Sequence, residues 1–196
     1  ESALTISVDS FSPSVSVGPK LVPIPDIFCA VNADDEDIRS NISSNINRDI
    51  PQVVPYETQW DKVVALVVGG PSLDSTLDEL KAKHEDGMPV VTVNGSYKYC
   101  MDRGIRPSAF IMLDSREFNN RFVDPPHKEC KYFICSQCHP SVLDKLDGYE
   151  THLWHCAGQD QYQDILEDKY GEIHKDFFPV LGGSTVTLRA IHLMRM

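Results

Sequence analysis

The sequence predicts an α/β protein: a doubly wound, mainly parallel sheet with helices on both faces, preceded by an extended arm and one helix. Three observations carry this reading. From Val63 onward, short apolar runs rich in β-branched and aromatic residues recur about 20 to 25 residues apart, separated by segments of helical period. Several of the runs, Val63 to Val68 above all, are apolar without alternation, the pattern of parallel strands buried on both faces. The strand ends carry polar or glycine residues: Gly69-Gly70, Asn94-Gly95, Asp114, Ser136 and Gly182-Gly183. In open α/β sheets the carboxyl ends of the strands form the ligand-binding edge, at a topological switch point.

The first 33 residues are rich in Ser, Pro and Val, with Ser12-Pro13-Ser14, Gly18-Pro19, Pro23 and Pro25. That composition predicts an extended arm with a strand or two, not a packed domain. Asp34 to Asn47 is expected to be helical: its first turn is acidic, Ile38, Ile42 and Ile46 repeat every fourth position, and Pro51 forbids continuation. The narrow stripe predicts docking on the main domain or on a neighbouring subunit. Residues 51–60 are expected to be a linker, dividing the chain into 1–60, the arm with its amphipathic helix, and 61–196, the globular domain.

Val63 to Val68 opens that domain as a buried strand and stops at Gly69-Gly70-Pro71-Ser72. A helix is expected next, with Ser75 and Asp78 at capping-box spacing, Leu73, Leu77 and Leu80 on one face, and Lys81, Lys83 and His84 at the carboxyl end. Strand, glycine turn and helix together present free backbone N–H groups and a helix dipole to an anion. Pro71 has no N–H, so Gly69, Gly70, Ser72 and Leu73 are the expected donors. The turn is neither a Walker A loop nor GxGxxG, and the plainer alternative is a tight connection.

Val90 to Val93 is the second strand, followed by a helix from Ser96 to Arg103 that Gly104 terminates. Ala109 to Leu113 and Lys131 to Cys135 are the third and fourth, with Pro140 in the first turn of the next helix. Thr151 to Ala157 is the fifth, and a helix from Asp160 to Tyr170 ends at Gly171. Phe177 to Leu181 is a short sixth, its Pro179 implying an edge. Gly182-Gly183-Ser184-Thr185 then leads into a last helix, apolar nearly all round and without a following cap. Such an ending is expected of a fragment of a longer chain or of a helix completed by a partner.

A hydrophobic content of 41%, a charged content of 24% and a length of 196 residues describe an ordinary globular chain. The net charge of −11 argues against nucleic acid as the partner, and no apolar run reaches membrane-spanning length. Six irregularly placed cysteines predict a reducing, cytoplasmic setting.

Asp114, at a strand end beside Ser115 and Arg116, is a candidate to hold Mg²⁺ on a diphosphate or to bind a ribose hydroxyl; its alternative is an N-cap. Asn94 is placed to read a base or phosphate, or else to stabilise its Asn-Gly turn. Gly182-Gly183-Ser184-Thr185 is a second candidate anion nest, against an ordinary Ser cap. Cys130, Cys135, Cys138 and His139 contain a CxxCH spacing that admits redox, zinc or haem readings. Cys135 falls in the buried strand pattern, and packing of a reduced thiol is the favoured reading.

Taken in order, Gly69-Gly70-Pro71-Ser72-Leu73, Asn94-Gly95, Pro107 before a strand ending in Asp114, and Gly182-Gly183-Ser184-Thr185-Val186 resemble the MptE-like family. That family includes 6-hydroxymethylpterin diphosphokinase-like proteins and Maf motility-associated glycosyltransferases, and a looser likeness extends to bacterial sialyltransferases. The resemblance covers residues 62 to 196 and implies a Rossmann-like domain with the nucleotide at Gly69 through Leu73. The implied activity is a transferase acting on a nucleotide or nucleotide sugar, with glycosyl and diphosphoryl transfer both open. Asp114 and Asn94 would be the acting side chains, and Gly69, Gly70, Ser72, Leu73, Gly95, Gly182, Gly183, Ser184 and Thr185 would hold the ligand. Arg116 and Arg121 are the nearest phosphate clamps. The rival reading is a non-catalytic nucleotide-binding or assembly module, docking through its arm, and a homo-oligomer fits either.

Overall fold

The computed structural model describes residues 5–9, 12–17, 20–23, 33–55, 63–158, 160–183 and 185–196. They fall into two compact units, Glu1–Asn32 and Ala33–Met196. In the first unit, β1 (Thr5–Asp9), β2 (Ser12–Val17) and β3 (Lys20–Pro23) pair antiparallel in that order, with Ile6 opposite Val15 and Val15 opposite Val22. The stretch expected as an arm with a strand or two is thus a three-stranded sheet.

The second unit opens with α1 (Asp35–Asn45), whose Ile38 and Ile42, together with Ile46 just beyond, are buried in the main core. The helix expected on the arm therefore belongs to the larger unit, and the division of the chain falls ahead of it. Part of the expected linker is docked as well. Val53 donates its N–H to the Leu153 carbonyl and Leu153 donates to Pro51, both at 2.8 Å. The expected start of the domain near Trp60 lies outside the described residues.

A five-stranded parallel sheet follows. β4 (Ala65–Val67) leads through α2 (Leu77–Glu85) to β5 (Val90–Val93), and α3 (Ser96–Met101) leads to β6 (Ala109–Met112). Next come β7 (Lys131–Cys135), α4 (Pro140–Lys145), β8 (Thr151–Trp154), α5 (Gln163–Tyr170) and α6 (Val186–Leu193). The fold class is the one the apolar runs predict. The strands lie side by side in sequence order, β4-β5-β6-β7-β8, so no reversal of order marks a ligand crevice among the described strands.

Helices cover both faces. Ala65, Val67 and Val90 pack with Leu77 and Leu80 of α2 and Cys100 of α3. The alternate set on β4 and β5, Leu66, Val91 and Val93, shares a core with Ala190 and Leu193 of α6, which packs on β5 and β6. β5 is buried at all four positions, which is why its sequence shows no alternation.

Three local expectations change. The helix after the glycine turn begins at Leu77, after a 3₁₀ turn at Asp74–Thr76, and Ser75 does not cap it: its hydroxyl donates back to the Ser72 carbonyl at 2.7 Å. Phe177 to Leu181 makes only single bridges, Ile173 with Phe177 and Cys156 with Val180, because Pro179 cannot extend a ladder. The last helix is not buried all round; Leu188, Ile191 and Met194 are exposed at 51%, 44% and 36%.

Candidate functional site

The turn after β4 is open. Pro71 and the glycines are exposed, and a Cβ built on Gly69 or Gly70 meets no atom within 4 Å. Neither glycine has a positive φ, so backbone strain does not demand them. The Leu73 N–H is already spent on the Gly70 carbonyl at 3.1 Å, which removes one expected donor. The N–H groups of Gly69, Gly70 and Ser72 have no backbone partner among the described residues. A groove of about 390 Å³ runs from Gly70 and Ser72 along the outer edge of β4 and α2; its lining includes neither Asn94 nor Asp114.

Ser96, which the sequence did not single out, holds this turn against β5. Its buried hydroxyl lies 2.7 Å from the Val67 carbonyl and 2.8 Å from that of Val93, and accepts from the Val93 N–H at 3.0 Å. One side chain therefore ties the last residue of β4 to the last residue of β5.

Asn94 follows β5 with φ 45°, a left-handed conformation that Asn tolerates better than most residues. Its N–H donates to Ile111 at 3.1 Å, and its side-chain oxygen accepts a long bond from the Leu113 N–H at 3.5 Å. The turn-stabilising role is thus present. Gly95 has a packing reason of its own: a Cβ there would stand 3.3 Å from the Phe122 ring.

Asp114 ends the β6 segment two residues after Met112, so it and Asn94 occupy neighbouring strand ends at one edge of the sheet. Both its oxygens accept from Arg116: Oδ2 from Nη2 at 2.8 Å, Oδ1 from Nε at 3.0 Å and from the backbone N–H at 3.1 Å. Burial pushes the Asp114 carboxyl up, but these bonds outweigh it and hold its pKa below the ordinary value. The carboxylate is ionised and occupied. Among the described residues no three His, Cys, Asp or Glu groups converge as metal ligands. One carboxylate already paired with an arginine is a poor fit for a resident Mg²⁺, which needs near-octahedral oxygen ligation.

Beyond Asp114 a 3₁₀ segment, Glu117–Val123, packs against α3 and α4. It carries a cationic and aromatic lip that only Arg116 and Arg121 anticipated. The Arg116 and Arg121 guanidinium carbons lie 4.7 and 5.1 Å from the centre of the Phe118 ring, which is 52% exposed. Asn119 on the same segment is buried.

α1 closes the loops that follow β6 and β7. Asn41 donates to the carbonyls of Ser115 and Gln137, both at 3.1 Å, and Asn45 to those of Ser136 and Cys138 at 2.9 and 2.6 Å. The Asn41-x3-Asn45 spacing, one helical turn, was the available signal for this pair.

The second glycine loop is shaped by its helix. Gly182 has φ 126° and a Cβ there would lie 2.7 Å from the Leu188 carbonyl oxygen; Gly183 has φ 78°. Thr185 caps α6, its hydroxyl accepting from the Leu188 N–H at 3.3 Å. Ser184 lies outside the described residues. Val180 pairs in parallel with Cys156 beyond β8, which sets the approach to the loop. Of the proposed ligand-holding residues, Asn94 and Asp114 are brought to adjacent strand ends and Gly69 to Ser72 to the strand beside them. Thr185 and Gly182 are accounted for by α6 itself.

Residues 36–196 match the family described as 6-hydroxymethylpterin diphosphokinase MptE-like. The chain belongs to the MptE-like family. A solved structure, the Maf glycosyltransferase from Magnetospirillum magneticum AMB-1, superposes with a TM-score of 0.60 at 15% identity over 84% of this chain. The chain spans about a quarter, 26%, of that protein's length. No individually curated protein matches. At this identity the neighbour supports the fold alone. Among its described residues no helix is long and apolar enough to cross a membrane.

Proposed function

We propose that this MptE-like chain is a transferase-type domain that binds a nucleotide or nucleotide-sugar diphosphate at the carboxyl ends of β4, β5 and β6. The observation that carries the proposal is the exposed turn after β4, whose Gly69, Gly70 and Ser72 N–H groups have no backbone partner among the described residues and whose glycines leave open space. Neighbouring strands are about 4.8 Å apart, so the ends of β4 and β6 are separated by roughly 10 Å, a span that a nucleoside diphosphate covers. The phosphates would lie on the turn, Asn94 would orient the base or acceptor, and Arg116 and Arg121 would offset the charge, with Phe118 available to a planar ring.

Catalysis in this reading rests on positioning and charge stabilisation. Asp114 orients Arg116; it is not a free base. No step is routed through a metal, and Mg²⁺ would arrive on the ligand's phosphates. A binding module without turnover is favoured by the same Asp114–Arg116 pairing, because the edge then presents no unpaired carboxylate of its own from this position.

The test is thermal shift of the chain with ATP, CMP, UDP and CMP- and UDP-sugars, each with and without Mg²⁺, followed by calorimetry. One nucleotide class should stabilise the chain, and Arg121→Ala should weaken its binding about tenfold, the loss of one charge-assisted contact. Binding that survives both Arg121→Ala and Gly70→Val would place the ligand elsewhere. Product formation separates the transferase from the module.

A further inference from the structure

In the folded chain the Cys135 thiol of the CxxCH spacing faces a cysteine from outside that motif. The Cys156 sulfur lies 3.5 Å from Cys135 Sγ, beyond the neighbouring strand end. Cys135 is the last residue of β7, aligned with Trp154, and Cys156 follows two residues after Trp154 on the same side of the sheet. Both are free thiols, Cys135 buried and Cys156 half-buried. Cys156 lines a cavity of about 20 Å³ with Gln137 and Tyr162, room for one water.

We propose that Cys135 and Cys156 form a reversible disulfide, making this edge a site of thiol–disulfide exchange with low-molecular-weight disulfides such as oxidised glutathione. A disulfide needs its sulfurs at about 2.05 Å, so they must approach by about 1.5 Å from the 3.5 Å seen here. Cys156, the more exposed, loses its proton to water and attacks one sulfur of the oxidant. One glutathione leaves as thiolate and takes up a proton, and a mixed disulfide remains on Cys156. Cys135 then attacks the Cys156 sulfur, and its proton leaves with the second glutathione thiol. Two protein thiols and one oxidised glutathione become one protein disulfide and two reduced glutathiones. Burial pushes the Cys135 thiol well up and keeps it from the oxidant, so the first attack falls to Cys156, and Cys135 must lose its proton before it can resolve the mixed disulfide.

The bond would staple two segments that the fold already links to other parts of the edge. The Ala157 N–H donates to the Val180 carbonyl at 3.0 Å, and Val180 donates to His155 at 2.7 Å. On the other side, Ser136 and Cys138 are held by Asn45.

The full chain is incubated, folded, with oxidised glutathione, its remaining thiols are alkylated, and a non-reducing peptide map is made. The expected result is a peptide pair joined through Cys135 and Cys156, lost on reduction and retained in Cys138→Ser. Cys135→Ser should instead accumulate glutathione on Cys156. A Cys135–Cys138 link, glutathione persisting on Cys156 of the unsubstituted chain, or both thiols remaining alkylatable would each overturn the proposal. The map of the unsubstituted chain decides even if a variant fails to fold.

Discussion

The Asn45 side-chain amide donates to the Ser136 carbonyl at 2.9 Å, joining residues 91 positions apart in the chain. Its second bond, to Cys138, completes the loop after β7, so a helix from outside the strand–helix series finishes that part of the carboxyl edge. Asn45→Ala should cost about 1 to 3 kcal/mol, because two buried carbonyls lose their donor. Urea denaturation measures it; an unchanged midpoint would mean that water reaches both carbonyls.

The two glycine loops should behave oppositely. Gly70→Val places its side chain in open space without a strained φ, so stability should change by less than about 0.5 kcal/mol while affinity for the bound nucleotide falls. Gly182→Ala meets the Leu188 carbonyl oxygen at 2.7 Å with φ 126° and should lose roughly 2 kcal/mol or more. Thermal unfolding and calorimetric titration on both variants separate the ligand role from the backbone role.

Ser96→Ala should loosen the turn after β4 without touching it. Losing the bonds to Val67 and Val93 should cost about 1 to 2 kcal/mol and speed hydrogen exchange of the β4 amides. Unchanged exchange at Leu66 to Val68 would show that β4 is held by packing alone.

His155 should make the chain acid-sensitive. Burial lowers its pKa from the ordinary 6.5 to about 4, and its Nε2 sits 3.1 Å from Gln52 Oε1. The folded state therefore binds fewer protons than the unfolded state between these values, and stability rises with pH across the window. The contribution is fully present above 6.5 and falls by at most about 3 kcal/mol on descending to about 4. His155→Phe should show a shallower loss between pH 7.5 and 4.5 in urea titrations; parallel losses in variant and parent would assign the acid sensitivity to other groups.

The apolar runs alone determined the parallel sheet, since a strand buried on both faces leaves a continuous hydrophobic signature, as Val90 to Val93 does. They also located the strand ends, because Asn94, Asp114 and the glycines interrupt those runs locally. Periodicity found α1 through Ile38, Ile42 and Ile46, yet could not say which unit it joins. That depended on Asn41 and Asn45 meeting carbonyls about 70 to 100 residues away, and hydrogen bonds of that reach leave no local pattern. The same limit explains Cys135, whose sequence partner is Cys138 and whose spatial partner is Cys156. Strand order, and with it which strand ends stand side by side, is a property of the assembled sheet. Only the tertiary structure decided that Asn94 lies beside Leu113, that Arg116 occupies Asp114, and that the Gly70 turn stays open while the Gly182 turn is filled by its own helix.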